Sequence, residues 1–366
     1  LGFTGVVLVF TGMLSIREGF ENVVQRNGSP QVAMVIRGGS TSELNSGLSH
    51  DSYRVIAQAP GVAVDADGPI ASPEMLVVVD APRRSTGNDS NVPFRGVTER
   101  GFVIHDKVRI IEGRNFDPGR GEIIVGRQAA AQFAGLEIGR ELRWSGFAWH
   151  VVGVFEADGG LEESEIWTDA RTLQTAFERG TFFQSVYARL VSVDAFQEFK
   201  DALTSNPQLN VTVQRQDEYL HAQTETLSMF VSIAGGVIAL LMGLGAIFSA
   251  VNAMYATVSS RALEIATLRA LGFGRSPVLV SVLVEALLLG LVGGAAGGML
   301  AWIAFDGFQT STLNFASFSQ VAFQFAVTPE LILEGIVLAL ALGLVGGFFP
   351  AIRAARLPIA AALRGL

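Results

Sequence analysis

Three long apolar runs in the second half of the chain constrain its structure more than any other feature of the sequence. Residues 226–260 contain no Asp, Glu, Lys or Arg, and their apolar part covers about 227–256. Two further runs cover about 278–305 and 331–352, and each is interrupted by a single acid. Because about 20 apolar residues span the hydrocarbon core of a bilayer, each run predicts a transmembrane helix.

The amino-terminal segment predicts one more span, which we place over residues 1–19. Leu1–Ile16 is apolar but short for a crossing, and it has neither a basic start nor a small-residue cleavage site. It therefore does not resemble a signal peptide. We expect it to be the outer part of a first helix that leaves the bilayer near Arg17, with its cytoplasmic part preceding Leu1.

The distribution of arginine predicts the orientation in the membrane. The segment after the second span and the tail after the fourth contain six arginines: Arg261, Arg269, Arg275, Arg353, Arg356 and Arg364. The segment 306–330 contains neither Lys nor Arg. Since basic residues favour the cytoplasmic side, the first two segments are predicted to be cytoplasmic. Residues 306–330 and the long segment 20–225 are then predicted to lie outside the cytoplasm.

Residues 20–225 predict a soluble α+β domain with two lobes. Strand-like runs bounded by turn residues cover 31–37, 75–79, 122–125, 149–155 and 184–190. Helices are predicted at 49–58, after a Ser49 cap, and at 194–203. Because a strand–helix–strand pattern over 31–80 recurs over 184–214, we assign these two segments to one lobe. We assign 92–178 to an inserted second lobe.

Composition excludes several classes of function. The 366-residue chain has no cysteine, which excludes disulfides, thiolate catalysis and cysteine-ligated metals. No two of its four histidines are close enough for a helical His pair, and the formal net charge of −8 argues against nucleic-acid binding. Lys107 and Lys200 are its only lysines and lie outside any phosphate-binding loop, so the chain is not by itself a P-loop ATPase.

No catalytic site and no metal site is predicted. The nearest approach to paired catalytic carboxylates is the run Glu162, Glu163 and Glu165, between Gly160 and Trp167. We expect this run to be a solvated loop.

The cytoplasmic segment at about 259–272 predicts a short amphipathic helix. Glu264 and Leu268 are i,i+4 neighbours, as are Ile265 and Arg269, and Gly272 fits a helix stop. Such a helix is either an interfacial connector or a coupling helix that docks into a cytoplasmic partner. The coupling hypothesis assigns that contact to Arg261, Glu264, Ile265, Arg269, Leu271 and Gly272.

Small residues recur at four-residue spacing in the third and fourth spans. The set comprises Gly290, Gly294, Gly298, Gly343 and Gly347. In lipid, such spacing lets helix backbones approach closely. The rows therefore predict helix packing, either within one subunit or at a dimer face.

Glu285 is the one acid well inside a predicted span. An intramembrane carboxylate costs about 2.5 kcal/mol or more at mid-bilayer. Since the span holds no second acid or histidine for a proton relay, we favour a structural role over ion transport. A buried hydrogen bond or a contact with a basic group would serve that role.

Taken together, these residues resemble a permease of the MacB/FtsX type of ATP-binding-cassette (ABC) transporter. The resemblance covers essentially the whole chain and depends on the order of six segments: 112–116, 122–126, 151–155, 261–272, 285–294 and 347–364. It departs from the fused exporters of the family, because this sequence carries no ATPase.

The resemblance implies a four-span protein of the bacterial inner membrane. A large periplasmic domain would lie between the first two spans, with a porter-like lobe at 31–80 and 184–214, and an FtsX-like membrane domain would occupy 226–366. It further implies a second permease chain, in a homodimer or pseudodimer, and a separate cytoplasmic ATPase that binds ATP and Mg, with no cofactor in this chain. The implied mechanism is mechanotransmission, and it favours the coupling role of 259–272.

Three functions remain open at this stage. The first is export of amphipathic or lipid-like molecules from the periplasm or outer leaflet, with a periplasmic adaptor and an outer-membrane channel as further partners. The second is extraction of lipoproteins or lipids for a lipoprotein carrier. The third is a non-transporting regulator of a periplasmic partner. The size of the outer domain favours the first, and no residue identifies the substrate.

Overall fold

The computed structural model describes residues 1–314 and 319–358, and it divides into two compact units. We call the first the helical unit: Leu1–Gly19, Leu227–Phe308 and the described residues from Gln324 onward. We call the second the mixed unit: Phe20–Thr226 and the described part of Gln309–Phe323. Arg364, used above for orientation, lies outside the described residues.

The described residues form helices and strands in the following order. The helices are α1 (Gly2–Asn27), α2 (His50–Ala57), α3 (Glu99–Ile104), α4 (Arg127–Gln132), α5 (Ala170–Ala176), α6 (Ala195–Thr204), α7 (Gln216–Ser260), α8 (Ala262–Ala270), α9 (Arg275–Phe305) and α10 (Pro329–Ala355). The strands are β1 (Val32–Arg37), β2 (Val64–Asp65), β3 (Gly68–Pro69), β4 (Ala71–Pro82), β5 (Asp89–Val97), β6 (Arg109–Gly113), β7 (Glu122–Gly126), β8 (Glu141–Trp144), β9 (Phe147–Glu156), β10 (Ile166–Asp169), β11 (Ser185–Arg189), β12 (Val211–Arg215), β13 (Gln309–Asn314) and β14 (Ser319–Gln324).

Among the residues that the structure describes, four helices are long and apolar enough to cross a membrane, which confirms the predicted four-span class. These stretches are Gly2–Asn22, Met229–Ser260, Arg275–Phe305 and Pro329–Ala355. The helices extend beyond the apolar runs, since α1 continues to Asn27 and α7 begins at Gln216. The reason is physical: hydropathy marks the length that contacts lipid, whereas backbone hydrogen bonds continue wherever the sequence has no helix-breaking residue.

The segment between the third and fourth spans differs from the plain loop that its composition suggested. Here β13 and β14 pair as a two-stranded sheet. In this segment apolar and polar residues alternate little, so the sequence signal for strands was weak.

The mixed unit is built on one ten-stranded sheet. Nine strands follow the order β12-β1-β11-β4-β5-β10-β7-β9-β6, and β8 pairs with β9. Most neighbours are antiparallel, but β10 pairs parallel with β5, and β7 pairs parallel with β9. This α+β domain lies between the first and second spans in the chain, as predicted.

The two largest apolar cores of the mixed unit correspond to its two lobes. One core contains Val35, Ile56 and Phe199, from the segments assigned to the first lobe. The other contains Phe94 and Trp149, from the inserted lobe. Helix α2 begins at the predicted Ser49 cap, whose hydroxyl accepts a hydrogen bond from the amide of Ser52 at 3.1 Å.

The lobes share the 12-residue strand β4. Its first residues pair with β11, from Ala71 opposite Ala188 to Glu74 opposite Ser185. Its later residues pair with β5, starting with Met75 opposite Gly96. No linker therefore separates the lobes at residue 80, because one continuous strand contributes Ala71 to the first core and Met75 to the second.

Candidate functional site

Helix α8 lies where the coupling helix was predicted, but it is shorter. Helix α7 ends at Ser260, Arg261 leaves helical geometry with φ −101° and ψ 13°, and α8 covers Ala262–Ala270. Gly272 has φ +99°, a conformation that glycine adopts without a side-chain clash. The amide of Phe273 then bonds to the carbonyl of Leu268 at 3.2 Å. The predicted glycine stop therefore ends this helix.

One face of α8 exposes apolar side chains. Leu263, Leu268 and Leu271 are 57%, 45% and 74% exposed, and Glu264 beside them is also exposed. Ala266, by contrast, is buried. Adjacent exposed leucines mark either a lipid contact or a protein partner.

The opposite face of α8 packs on other helices of the helical unit. Ile265 contacts a core cluster that includes Val258 of α7, Val282 of α9 and Ala351 of α10. Of the six predicted coupling residues, Ile265 thus points inward, whereas Glu264, Leu271 and Gly272 are exposed.

The two basic residues of the predicted coupling set bond within the helical unit. Arg261 places Nη1 3.4 Å from Oε2 of Glu285 on α9. Arg269 donates from Nη1 to the carbonyl oxygen of Leu357, just after α10, at 2.5 Å. Glu285, the intramembrane acid, thus has a basic partner from the segment that joins α7 to α8.

A cavity of about 300 Å³ opens between the end of α7, α8 and the start of α9. Val258, Ile265 and Phe273 contribute apolar walls, and the Arg261–Glu285 pair contributes a charged wall. The cavity belongs entirely to the helical unit.

The two glycine rows lie between α9 and α10 of the same chain. A Cβ atom at Gly290 would lie 2.8 Å from the carbonyl oxygen of Ala339, and one at Gly343 would lie 2.9 Å from that of Ala286. Gly294 faces Ala339 in the same way. Gly298 and Gly347 approach Ile332 and Ala286. All five glycines are buried, so the close approach they permit is made within one subunit.

In the mixed unit, the expectation that the acid run at 162–165 is a solvated loop is wrong. Glu163 and Glu165 are only 1% and 8% exposed. Glu163 Oε1 accepts hydrogen bonds from the amides of Ala157 at 2.9 Å and Gly159 at 2.8 Å. A 3₁₀ turn over Leu161–Ser164 brings the acids back under the end of β9. Local composition could not reveal this, because the partners of Glu163 are backbone amides placed by the turn and those of Glu165 include Arg95, which is distant in sequence.

Five buried ionisable residues form a connected group that we call the Arg95 cluster: Arg95, Glu43, Glu74, His105 and Glu165. Arg95 on β5 donates to both carboxylate oxygens of Glu43 at 3.1 Å, to Glu74 at 3.1 Å and to Glu165 at 2.8 and 2.9 Å. His105 Nε2 lies 3.0 Å from Glu74 Oε1. All five residues are less than 9% exposed.

Neutral groups complete the hydrogen bonding of these carboxylates. Glu43 accepts from Ser185 Oγ at 2.6 Å and from the Tyr187 hydroxyl at 3.1 Å. Its own amide donates to the hydroxyl of Tyr219, on the first turns of α7, at 3.1 Å. Trp167 Nε1 donates to Glu165 at 2.7 Å. The cluster thus connects both lobes with the start of α7 inside the mixed unit.

In the Arg95 cluster, burial and the oppositely charged neighbours shift the pKa of Glu43, Glu165 and His105 in opposite directions. Burial raises the pKa of Glu43, but the charge and hydrogen bonds of Arg95 reverse this and lower it overall. At Glu165 burial dominates, and the pKa is raised. Burial disfavours charged His105, yet the Glu74 charge and hydrogen bonds to Glu162 and Glu74 raise its pKa to about 10. His105 is therefore a cation at neutral pH.

Sequence reasoning missed this cluster because its members come from separate segments. The available signal was a charge inside a strand: Glu74 and Arg95 interrupt apolar stretches of β4 and β5. The described residues contain no group of His, Asp and Glu able to hold a metal ion. The Arg95 cluster therefore does not combine a nucleophile with a set of metal ligands.

A cleft of about 790 Å³ also opens in the mixed unit. Aromatic walls come from His50, Tyr53 and Phe183, and charged walls come from Arg100 and Arg171. Arg100 is held by Asp65 through two bonds of 2.7 Å.

Three segments on which the resemblance depended pack together in the inserted lobe. Strand β7 pairs with β9, with Val125 opposite Val154. Arg114 donates to both carboxylate oxygens of Glu122 at 2.6 Å. This hydrogen bonding, despite opposing desolvation, lowers the pKa of Glu122 to about 2.

Comparison with known proteins identifies the family. Residues 1–206 match the model of the MacB-like periplasmic core domain, and residues 236–359 match the model of the FtsX-like permease C-terminal region. The chain therefore belongs to the MacB/FtsX-type permeases of ABC transporters. It is a multi-pass inner-membrane protein with a periplasmic domain, to which the mixed unit corresponds.

Similar proteins agree with this assignment. The chain is 26% identical over 395 residues to the macrolide export ATP-binding/permease protein MacB 1/2 of Paracoccus denitrificans, covering 97% of this chain and 56% of that one. It is 25% identical to the MacB of Hyphomonas neptunium, covering 99% of this chain and 57% of the relative. The chain thus spans about half the length of the curated relatives it matches.

Solved structures include the periplasmic region of MacB from Actinobacillus actinomycetemcomitans. It has a TM-score of 0.40 and 12% identity, covering 54% of this chain and 94% of that one. The extracellular domain of the ABC-type transporter YknZ from Gram-positive bacteria has a TM-score of 0.38 and 16% identity, covering 50% of this chain and all of its own length.

Proposed function

We propose that this chain is the permease subunit of an ABC transporter that works by mechanotransmission. In this proposal a cytoplasmic ATPase moves α8, the spans carry that motion, and the periplasmic domain changes conformation. The observation that carries the proposal is the pair of family matches, in this order, over residues 1–206 and 236–359. The exposed leucines of α8 support a protein contact outside the apolar runs.

The ATPase lies outside this sequence, and we place it on a separate subunit. Neither Lys107 nor Lys200 belongs to a phosphate-binding loop, and in this proposal the chain acts as a permease subunit without an ATPase site of its own. ATP and Mg would be bound by the partner.

We propose that two copies of the chain form a homodimer in the membrane. The exposed apolar face of α7, including Phe230, Leu240 and Phe248 at 68%, 65% and 73%, is available for lipid or for that second copy. The glycine rows are already occupied within one chain, so they do not supply this interface.

The proposed substrates are amphipathic or lipid-like molecules exported from the periplasm or outer leaflet. This class rests on the relatives named for macrolide export. A periplasmic adaptor and an outer-membrane channel would complete the path. Transport of such molecules into the external medium, dependent on the ATPase, would distinguish export from lipoprotein extraction and from regulation without transport.

Single cysteines in this cysteine-free chain test the coupling and the topology together. Glu264→Cys, on the exposed face of α8, should crosslink to the ATPase subunit and react with a membrane-impermeant thiol reagent only after cells are opened. Asp67→Cys, on an exposed turn of the mixed unit, is the control and should react in intact cells. Labelling of Glu264→Cys in intact cells, or crosslinking to lipid alone, would contradict the proposal.

A further inference from the structure

We propose that Arg261 and Arg269 are positioning residues, which hold α8 to α9 and α10 and thereby set the pose that the cytoplasmic partner binds. This inference rests on the proposed function for its consequence, but the two links themselves belong to the chain alone. It differs from the expectation drawn from sequence, in which both arginines reached outward to the ATPase.

The first link joins the beginning of α8 to α9. Arg261 is the residue between the end of α7 at Ser260 and the start of α8, and its guanidinium lies 3.4 Å from Glu285, which also lines the cavity beside α8. Glu285 lies ten residues after Arg275, in the first half of the 31-residue helix α9. A carboxylate inside an apolar helix needs a partner, and Arg261 supplies that partner from the helix that must be held.

The second link joins the end of α8 to the segment that follows α10. Arg269 lies in the last turn, and its bond to the carbonyl of Leu357 has a length of 2.5 Å. That carbonyl lies beyond the end of α10 at Ala355, where the helix no longer supplies backbone partners. The bond therefore satisfies an acceptor in the segment just after α10 with a donor of α8.

These two links determine the position and orientation of α8, because few other contacts hold this helix. Helix α8 has nine residues, it is separated from α7 by the break at Arg261, and Gly272 interrupts the chain before α9. Ala266 is its one buried residue, and Ile265 adds partly buried contact. A helix this short is marginal without tertiary contacts. Displacement of α8 by a partner would therefore pull on α9 and α10 through two separate points.

The assignment also divides the surface of α8 by role. Glu264, Leu268 and Leu271 remain exposed for the partner. Arg261, whose side chain stays 56% exposed, bonds to Glu285, and Arg269 bonds to the Leu357 carbonyl. A charge swap separates these roles, because a pair that sets the pose tolerates exchange of its two charges, whereas a docking arginine does not.

The test places a spin label on α8 of the full chain in lipid nanodiscs. Thr267→Cys, on the exposed face, carries the label, and the spectrum is recorded without the ATPase. Glu285→Gln, Arg261→Met and Arg269→Met should each cause loss of the immobilised component, whereas the double variant Arg261→Glu with Glu285→Arg should recover it. Glu334→Gln and Arg275→Gln, exposed residues of α10 and α9, are matched controls and should leave the spectrum unchanged.

An unchanged spectrum in Glu285→Gln and Arg261→Met would overturn the first link, and so would a charge swap that stays mobile. An unchanged spectrum in Arg269→Met would overturn the second. The second measurement is the yield of crosslinking from Glu264→Cys to the ATPase, which should fall in the three single variants and recover in the swap. If the spectra change as expected but the unmodified chain never crosslinks, the links stand and the proposed coupling function fails.

Discussion

At the scale of single residues, the glycines between α9 and α10 give the most direct prediction. Gly290→Ala would place a Cβ 2.8 Å from a backbone oxygen of Ala339, closer than such contacts allow, so the helices must separate. We expect a loss of about 1–3 kcal/mol, typical of overpacking, seen as a lower Tm of the purified chain. Gly236→Ala on α7 meets open space and should be neutral. A Gly290→Ala chain that keeps its Tm but loses a dimer would contradict the packing assignment.

His105 makes a prediction about pH. Its folded pKa of about 10 lies above the ordinary 6.5, so the protonated form stabilises the fold. That stabilisation is complete below pH 6.5 and is lost as pH rises toward 10, with a slope of up to about 1.4 kcal/mol per pH unit. Unfolding of the full chain, followed by the fluorescence of nearby Trp167, should show this slope.

His105→Gln should remove that slope, because glutamine does not titrate between pH 7 and 10. His150→Gln, at an exposed position of the same unit, should keep it. An equal slope in both variants would mean that another group near Glu74 and Glu162 titrates instead.

At the scale of elements, Arg95 on β5 links Glu43, which lies outside the ten-stranded sheet, to Glu74 on β4 and to Glu165 just before β10. Arg95→Met would leave the carboxylates of Glu43 and Glu165 buried without their counter-charge. Removing one partner of a buried ionic group costs about 3–5 kcal/mol, and denaturant unfolding of the mixed unit should show it. Arg143→Met, at a residue whose side chain is 75% exposed, should change stability by less than about 1 kcal/mol.

The exposed face of α8 predicts a loss of coupling without a loss of fold. Glu264→Lys reverses a charge beside Leu268 and Leu271, so it should reduce ATPase binding and ATPase-dependent function. Membrane insertion and periplasmic accessibility of the chain should stay normal, as measured by thiol labelling. Glu330→Lys, the same change at an exposed position of α10, should leave ATPase binding intact. Equal loss in both variants would indicate a general charge effect.

At the scale of the whole molecule, the chain should hydrolyse no ATP by itself. It contains no phosphate-binding loop, and its described residues offer no cluster for a metal ion. Phosphate release by the purified chain should equal the background, and addition of the partner ATPase should restore turnover. A variant of that ATPase without its phosphate-loop lysine is the control. Turnover by the chain alone would contradict the division of labour between the subunits.

The sequence alone determined the features that depend on local composition. Apolar length predicted four spans, since solvation by lipid acts on each helix separately. The end of α8 near Gly272 was also predictable from local sequence, because the positive φ depends on the presence of glycine at that one position. The α+β domain between the first two spans was also accessible, since alternating runs mark strands without knowledge of their partners.

Only the tertiary structure decided which groups meet. The members of the Arg95 cluster range from Glu43 to Glu165 along the chain, and their spacing in the sequence does not predict that they meet. The glycine rows showed that a close contact exists, but their partners at Ala286 and Ala339 became known from the packed helices. Arg261 and Arg269 were assigned to a predicted coupling helix, but that their guanidiniums bond to Glu285 and to the Leu357 carbonyl became known only from the packed helices. The physical reason is common to all three: composition sets the solvent that each segment prefers, whereas long-range packing chooses its neighbours.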